Sequence, residues 1–200
     1  MTATDILHPE ENAEFVIGLY LAYGDADYIG EPVSQLEHMC QCAMLAEEEG
    51  YDEDVILAAF FHDIGHFCEH FMKVGQMDGY GVVDHEGLGA NFLRSRNFSE
   101  KIAALVQNHV EAKRYLTRQV PSYYEGLSEA SKRTLEFQGG RMSVDEAMDF
   151  EKDPLFEMHI KLRRWDEGAK IQSRQLPPLE KYRSMIVRHL HRNLTIKPAK

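Results

Sequence analysis

Apolar residues recur at helical spacing through nearly the whole chain, and no alternating apolar and polar run of useful length occurs. The pattern predicts an all-α fold. Phe15, Val16, Leu19, Tyr20 and Tyr23 make a first stripe, which Gly24 and Asp25 end. Ser34 and Glu37 form a capping box that opens a helix through Leu36, Met39, Cys40, Ala43 and Met44, closed by Gly50. A third helix starts after Asp52 and is apolar on all sides from Val55 to Ile64, which marks it as the buried central element, ended by Gly65. His66 to Val83, with Gly75, Gly79 and Gly81, reads as a loop. Asp84 is expected to cap a helix running to Arg96, and Ser99 to cap one carrying Ile102, Leu105, Val106, His109 and Lys113 on a single face. Further helices are expected over residues 128–137, 143–151, 155–170 and 179–190. Nothing marks a linker, so residues 1–200 read as one domain with a short N-terminal extension.

Composition narrows the class. A chain of 200 residues with 44% hydrophobic and 28% charged positions, 7 Pro and 14 Gly is neither disordered nor collagen-like. The longest nearly apolar run, Val55 to Phe61, is far short of the roughly 20 residues of a membrane helix, and Met1 to Glu14 lacks a basic leader pattern. A cytoplasmic protein with no membrane partner is expected. Cys40, Cys42 and Cys68 have no framework spacing and read as reduced core thiols. The net charge of −11 repels polyanions, so nucleic acid is not an expected partner, and an anionic small molecule would need a positive site built for it. Ten histidines are the unusual number, because histidine is the commonest metal ligand.

The histidines fall in a telling arrangement. His62 and Asp63 are adjacent in the most apolar helix, where an uncompensated carboxylate would cost several kcal/mol. A satisfied His–Asp pair would answer this, and so would a metal ion. The company decides between them. His38 lies in the preceding helix, His85 opens the helix after the loop, His109 faces inward with Leu105 and Val106, and Asp166 follows the stripe Leu155, Met158, Leu162. Polar ligands at core-facing positions of several helices are how bundles build metal sites.

The order His38, His62-Asp63, Asp166 resembles the HD-domain superfamily of metal-dependent phosphohydrolases, an all-α helical bundle, and His85 with His109 matches its binuclear members. More specifically, Tyr28-Ile-Gly-Glu31 before Gln35-Leu-Glu-His38, then Phe61-His62-Asp63-Ile64-Gly65-His66, His109-Val-Glu-Ala-Lys113, Gln138-Gly-Gly140 and Leu162-Arg-Arg-Trp-Asp166 are similar to the phosphonate-degrading HD-domain oxygenases. Those are mixed-valent di-iron enzymes related in chemistry to myo-inositol oxygenase. The matching blocks run from about Tyr28 to Arg188 and leave Phe67 to Val83 aside.

The resemblance implies one iron on His38, His62, Asp63 and Asp166 and a second on Asp63, His85 and His109, as an Fe(II)/Fe(III) pair. It implies chelation of a 1-hydroxyphosphonate by one iron and reaction with O2 at the other. The C–P bond of 1-hydroxy-2-aminoethylphosphonate or its N-trimethyl derivative would break, giving phosphate and glycine or glycine betaine. His66 and Lys113 would contact the phosphonate, Ser131, Gln138 and Arg163 would orient it or support the ligands, and Tyr28 with Glu31 would form a latch over the metal. From residue types alone, Tyr28 could equally pack on the bundle and Glu31 solvate the turn before Pro32. With two carboxylates on the ligands, an iron pair at +5 would leave a net charge of about +3, which suits an anion despite the acidic chain. Tyr23, Tyr28, Phe67, Tyr80, Tyr123 and Tyr124, with Asp25 and Asp27 nearby, are expected to form a cage favouring the N-methylated amine. The alternative is a binuclear HD phosphohydrolase acting on a nucleotide or phosphomonoester, which the same six ligands would support.

Overall fold

The computed structural model describes residues 8–196; the N-terminal extension expected from the sequence lies largely outside the described residues. Its helices are α1 Pro9–Tyr23, α2 Gln35–Glu48, α3 Glu53–Phe61, α4 His85–Ser95, α5 Glu100–Gln107, α6 His109–Gln119, α7 Pro121–Gly126, α8 Glu129–Phe137, α9 Val144–Phe150, α10 Phe156–Gly168 and α11 Leu179–Ile196. A 3-10 helix, Ile64–His70, follows α3. No strand forms among the described residues, where β-structure is confined to the bridges Asp27 to Ser34 and Gln76 to Val82.

Helix α3 is buried from Val55 to Phe61 and anchored at its start by Asp52, whose side chain accepts from the Val55 N–H. It packs against α2 and α5 and also touches α10 and α11. Phe60 is stacked between Tyr20 of α1 and Tyr182 of α11, with ring centroids 4.2 and 4.1 Å away. The Tyr20 hydroxyl donates to the Phe60 carbonyl at 2.7 Å, so the aromatic stack is also tied to backbone. These contacts fix the end of α3, from which the His62-Asp63 pair projects.

Several boundaries differ from those the periodicity predicts, and each difference has a local cause. The first helix begins earlier, at Pro9, a residue suited to an opening turn. The central helix ends at Phe61 rather than Ile64, because the chain tightens into the 3-10 helix. That 3-10 turn occupies the start of the expected loop. Asp84 has left-handed backbone (φ 56°) and makes no side-chain capping bond, so it begins α4 without capping it. The long helix expected after Ser99 is two helices, α5 and α6, parted at Asn108. Helix α7 was not expected, and α11 runs on to Ile196.

Gly65 is a point of close approach and not a helix stop. A Cβ there would lie 1.8 Å from the His85 carbonyl oxygen and 2.9 Å from the Gly89 nitrogen. Only a residue without a side chain lets the 3-10 helix touch the start of α4, and that contact brings His85 beside Asp63. Gly65→Ala is therefore expected to lower stability by about 3 kcal/mol or more. For a chain of this size that is a fall in Tm of roughly 6–12 °C. A Tm within about 1 °C of the parent would show that the contact relaxes without cost.

Candidate metal centre

Six side chains converge on one buried volume. His38, His62, Asp63, His85, His109 and Asp166 are each at most 4% exposed. The Asp63 carboxylate stands in the middle with its two oxygens turned to different neighbours. Oδ2 lies 3.3 Å from His62 Nε2 and 3.6 Å from His38 Nε2, whereas Oδ1 lies 3.3 Å from His85 Nε2 and 3.4 Å from His109 Nε2. Asp166 Oδ1 joins the first side, 3.3 Å from His38 Nε2 and 3.9 Å from His62 Nε2.

Helix ends set the tautomers. His62 Nδ1 is 2.8 Å from the Ala59 carbonyl, His109 Nδ1 is 2.7 Å from the Val106 carbonyl, and His38 Nδ1 is 3.0 Å from the Ala169 carbonyl. Ala59 and Val106 lie in the last turns of α3 and α5, and Ala169 caps α10, where carbonyls lack intrahelical partners. The break at Asn108 thus leaves the Val106 carbonyl to an imidazole. A carbonyl can only accept, so each of these Nδ1 atoms carries a proton, and in the neutral ring each Nε2 is a bare lone pair. His85 has no such bond: its Nδ1 lies 3.3 Å from Glu86 Oε2, and neither atom has a hydrogen-bond partner.

The lone pairs therefore face one another. His38 Nε2 and His62 Nε2 are 3.0 Å apart, and His85 Nε2 and His109 Nε2 are 3.1 Å apart, with no proton in neutral rings to share. Asp63 Oδ2 and Asp166 Oδ1 are buried without a hydrogen-bond partner. Acceptors crowded together in this way demand positive charge. Burial alone would lower His62 and His85, yet Asp63 lifts both above the ordinary histidine value, Glu86 adding to the effect at His85. Burial likewise opposes ionisation of Asp63 and Asp166, but His62 beside the first and Arg163 beside the second hold both well below the usual carboxylate range. Divalent metals meet the demand better than protons, because imidazole and carboxylate at these separations are their ordinary ligands and the Nδ1 contacts pre-orient the rings. His38, His62 and Asp166 bring donor atoms within 4.8 Å of one another, and so do Asp63, His66 and His85.

A cavity of about 240 Å³ opens beside the cluster. Tyr28, Glu31, His66, Lys113, Ser131, Gln138 and Arg163 all line it, together with Asp63, His85, His109 and Asp166. The Tyr28 ring stacks on His38 at 4.0 Å, and the His66 ring stacks on His85 at 4.2 Å. Gly81, with φ +100°, lets the 75–83 segment press on His66, since a Cβ there would sit 2.7 Å from the imidazole. The Val82 N–H donates to His66 Nδ1 at 3.3 Å, which leaves the proton of the neutral ring on Nε2. Burial and the neighbouring His85 push His66 down to about 3, so the ring is neutral.

Lys113, 2% exposed, donates to Thr134 Oγ1 at 2.7 Å and to Gln138 Oε1 at 2.9 Å. Burial, then the Arg163 cation, push its amine well below the ordinary lysine value. Arg163 is committed to the protein: Nε donates to the Tyr123 hydroxyl at 2.7 Å, and the other nitrogens meet Asp166 and Glu167. It fixes Asp166 and has few donors left for a bound molecule. Glu31 is paired with Lys170 Nζ at 2.8 Å. Thr134 and Lys170 were not singled out from the sequence, and Tyr123 was expected in an aromatic cage, not as the partner of Arg163. The spacing of Arg163, Asp166, Glu167 and Lys170 along α10 and its end was the signal for Lys170.

The expected aromatic cage is not assembled as a group. Tyr28 and Tyr80 line the cavity, but Phe67 is buried against Tyr20, Tyr23 stacks on His70, Tyr123 holds Arg163 and Tyr124 lies beneath Arg141. Asp25 and Asp27 are exposed and do not line the cavity. Core packing and ion pairing claim the other rings. Asp63→Ala, which removes the carboxylate facing both sides, is expected to abolish metal retention on both, whereas His85→Ala or His109→Ala should spare the His38 side. Elemental analysis of the purified variants checks this, and undiminished metal in Asp63→Ala would contradict the shared role.

The HD domain model matches residues 36–138, a span that includes five of the six converging side chains. The chain is 39% identical over 181 residues to [1-hydroxy-2-(trimethylamino)ethyl]phosphonate dioxygenase (glycine-betaine-forming) of Leisingera caerulea, covering 90% of this chain and 91% of that protein. It is 37% identical over 182 residues to hydroxymethylphosphonate dioxygenase of Gimesia maris, covering 89% and 88%. An uncharacterized protein of Acanthamoeba polyphaga mimivirus is 44% identical over 180 residues, covering 90% and 82%. With its converging His and Asp side chains on an all-α bundle, this chain belongs to the HD-domain family, in the group that includes these phosphonate dioxygenases.

Proposed function

We propose that this protein is a di-iron oxygenase that uses O2 to cleave the C–P bond of 1-hydroxy-2-aminoethylphosphonate or its N-trimethyl derivative, giving phosphate and glycine or glycine betaine. The observation that carries the reading is the opening of a two-sided acceptor cluster onto the same cavity as a buried lysine, Lys113. His38, His62 and Asp166 with one Asp63 oxygen would hold one iron, and His85 and His109 with the other oxygen would hold the second. The iron pair, when bound, supplies the O2 and redox chemistry. The overall reaction balances without an outside reductant: the hydroxyphosphonate dianion and O2 become a carboxylate, hydrogen phosphate and a proton.

The chain's own groups bind and orient. Lys113, backed by Thr134 and Gln138, offers a charge-assisted hydrogen bond to a phosphonate oxygen, and the dianion would in turn stabilise its protonated form. The neutral His66 ring offers its Nε2–H, and Ser131 and Gln138 offer polar contacts on the same wall. Arg163 holds Asp166 in its ligand position. Burial and the Asp63 and Asp166 carboxylates raise the Tyr28 phenol well above its usual value, so it stays protonated over His38, where it serves as the latch with Glu31. The faces of Tyr28 and Tyr80 favour the trimethylammonium end over a primary amine.

Aerobic incubation of the iron-loaded protein with 1-hydroxyphosphonates is expected to release phosphate and consume O2 in equal amounts. Phosphate without O2 uptake would instead identify a binuclear HD phosphohydrolase. Lys113→Ala is expected to raise KM about tenfold to a hundredfold, the equivalent of about 1.5–3 kcal/mol for one charge-assisted bond, with metal content retained. An unchanged KM would remove Lys113 from the binding site.

A further inference from the structure

Two carboxylates besides Asp63 and Asp166 line the cavity, Glu31 and Glu69. Glu69 is exposed and accepts from the Gln76 side chain at 2.7 Å. Glu31 is the enclosed one, its side chain 10% exposed, and its Oε1 is 2.8 Å from Lys170 Nζ, whose own side chain is 16% exposed. Lys170 is not loosely held. Its Nζ also lies 3.3 Å from Glu167, which pairs with Arg163, which pairs with Asp166. Alternating charges thus run from a metal-facing carboxylate to the cavity wall. On either side of Lys170 the backbone is clamped to α2. The Ala169 carbonyl takes His38 Nδ1 at 3.0 Å, and Gln41 bonds both the carbonyl and the N–H of Ile171 at 2.9 and 3.0 Å.

We propose that Lys170 is the specificity-determining residue for the amine end of the substrate: by holding Glu31 in an enclosed ion pair, it withholds that carboxylate from a primary ammonium and so selects a quaternary one. The inference rests on the reading of the cavity as a phosphonate site. A primary ammonium brings three N–H donors that need acceptors once it leaves water, and at the enclosed carboxylate at hand Oε1 and the negative charge are already matched by Lys170. Seizing Glu31 would take from the enclosed Lys170 its shorter ion pair and leave it only the longer one to Glu167, a costly exchange. A trimethylammonium group has no N–H to satisfy and is held by aromatic faces such as those of Tyr28 and Tyr80. The ion pair therefore penalises the primary amine more than the quaternary one. Lys170 touches neither the metal ligands' donor atoms nor the reacting carbon, so it acts through Glu31.

The test uses the metal-loaded protein under anaerobic conditions and two unreactive probes that lack the 1-hydroxyl, 2-aminoethylphosphonate and 2-(trimethylammonio)ethylphosphonate, titrated calorimetrically. The parent protein is expected to bind the quaternary probe more tightly. In Lys170→Met the Kd ratio should move about tenfold toward the primary amine, because Glu31 is released to accept its N–H groups. Lys170→Arg keeps the pair and should keep the parent ratio. The double variant Glu31→Gln/Lys170→Met leaves no unpaired buried charge to threaten folding, and it should return to the parent ratio. A ratio moved less than about twofold in Lys170→Met, a double variant that retains the shift, or a parent protein that binds neither probe would each overturn the assignment. Because the probes do not turn over, this result stands apart from the oxygenase reading, whose own failure would be 1-hydroxyphosphonates that release no phosphate with O2.

Discussion

At the centre of this bundle a carboxylate faces four imidazole nitrogens, three of which have no proton to give it when their rings are neutral. Asp63 Oδ2 and Oδ1 each look toward a pair of Nε2 atoms, and the Nε2 atoms within a pair are about as close as hydrogen-bonded groups. In neutral rings that arrangement is repulsive. Positive charge between the lone pairs makes it attractive, and metal binding would displace whatever protons the rings hold in its absence. The remaining features of the site make sense as ways of keeping those lone pairs pointed inward.

Helix termini do much of this. The carbonyls that hold His38, His62 and His109 lie at the C-terminal ends of α10, α3 and α5, where backbone acceptors are unsatisfied. The negative ends of those helices also favour a cation at the point where they meet. The short α3, the break at Asn108 and the stop of α10 at Gly168 thus serve one purpose. Gly65 supplies the last alignment, by allowing the approach that sets His85 against Asp63. On the cavity side, charges balance in a chain through Asp166, Arg163, Glu167, Lys170 and Glu31, which connects the cavity wall to the acceptor cluster.

Much of the helical architecture was legible because its signals are local. The caps expected at Ser34 and Ser99 form their side-chain bonds, and Asp52, Ser128 and Ser143 cap the helices that the periodicity places after them. The six converging residues were legible because charged or imidazole side chains on apolar stripes conflict with burial unless something joins them. Two kinds of feature were not. The apolar face before His109 continues smoothly into α6, so periodicity could not reveal the break at Asn108 that leaves the Val106 carbonyl to His109. Nor does residue type say which aromatics a core will claim: Phe67 and Tyr28 look alike as cage candidates, yet one packs on Tyr20 and the other on His38. Lys170 escaped notice because its partner is 139 residues away.

The account stands on two cations, one on each side of Asp63. Anomalous X-ray diffraction from crystals of the iron-loaded protein, recorded above and below the iron absorption edge, tests this directly. Two iron peaks are predicted, one among His38, His62 and Asp166 and one beside His85 and His109, with the Asp63 carboxylate between them. A single peak, or imidazoles turned so that Nδ1 leaves the Ala59, Val106 and Ala169 carbonyls, would contradict it.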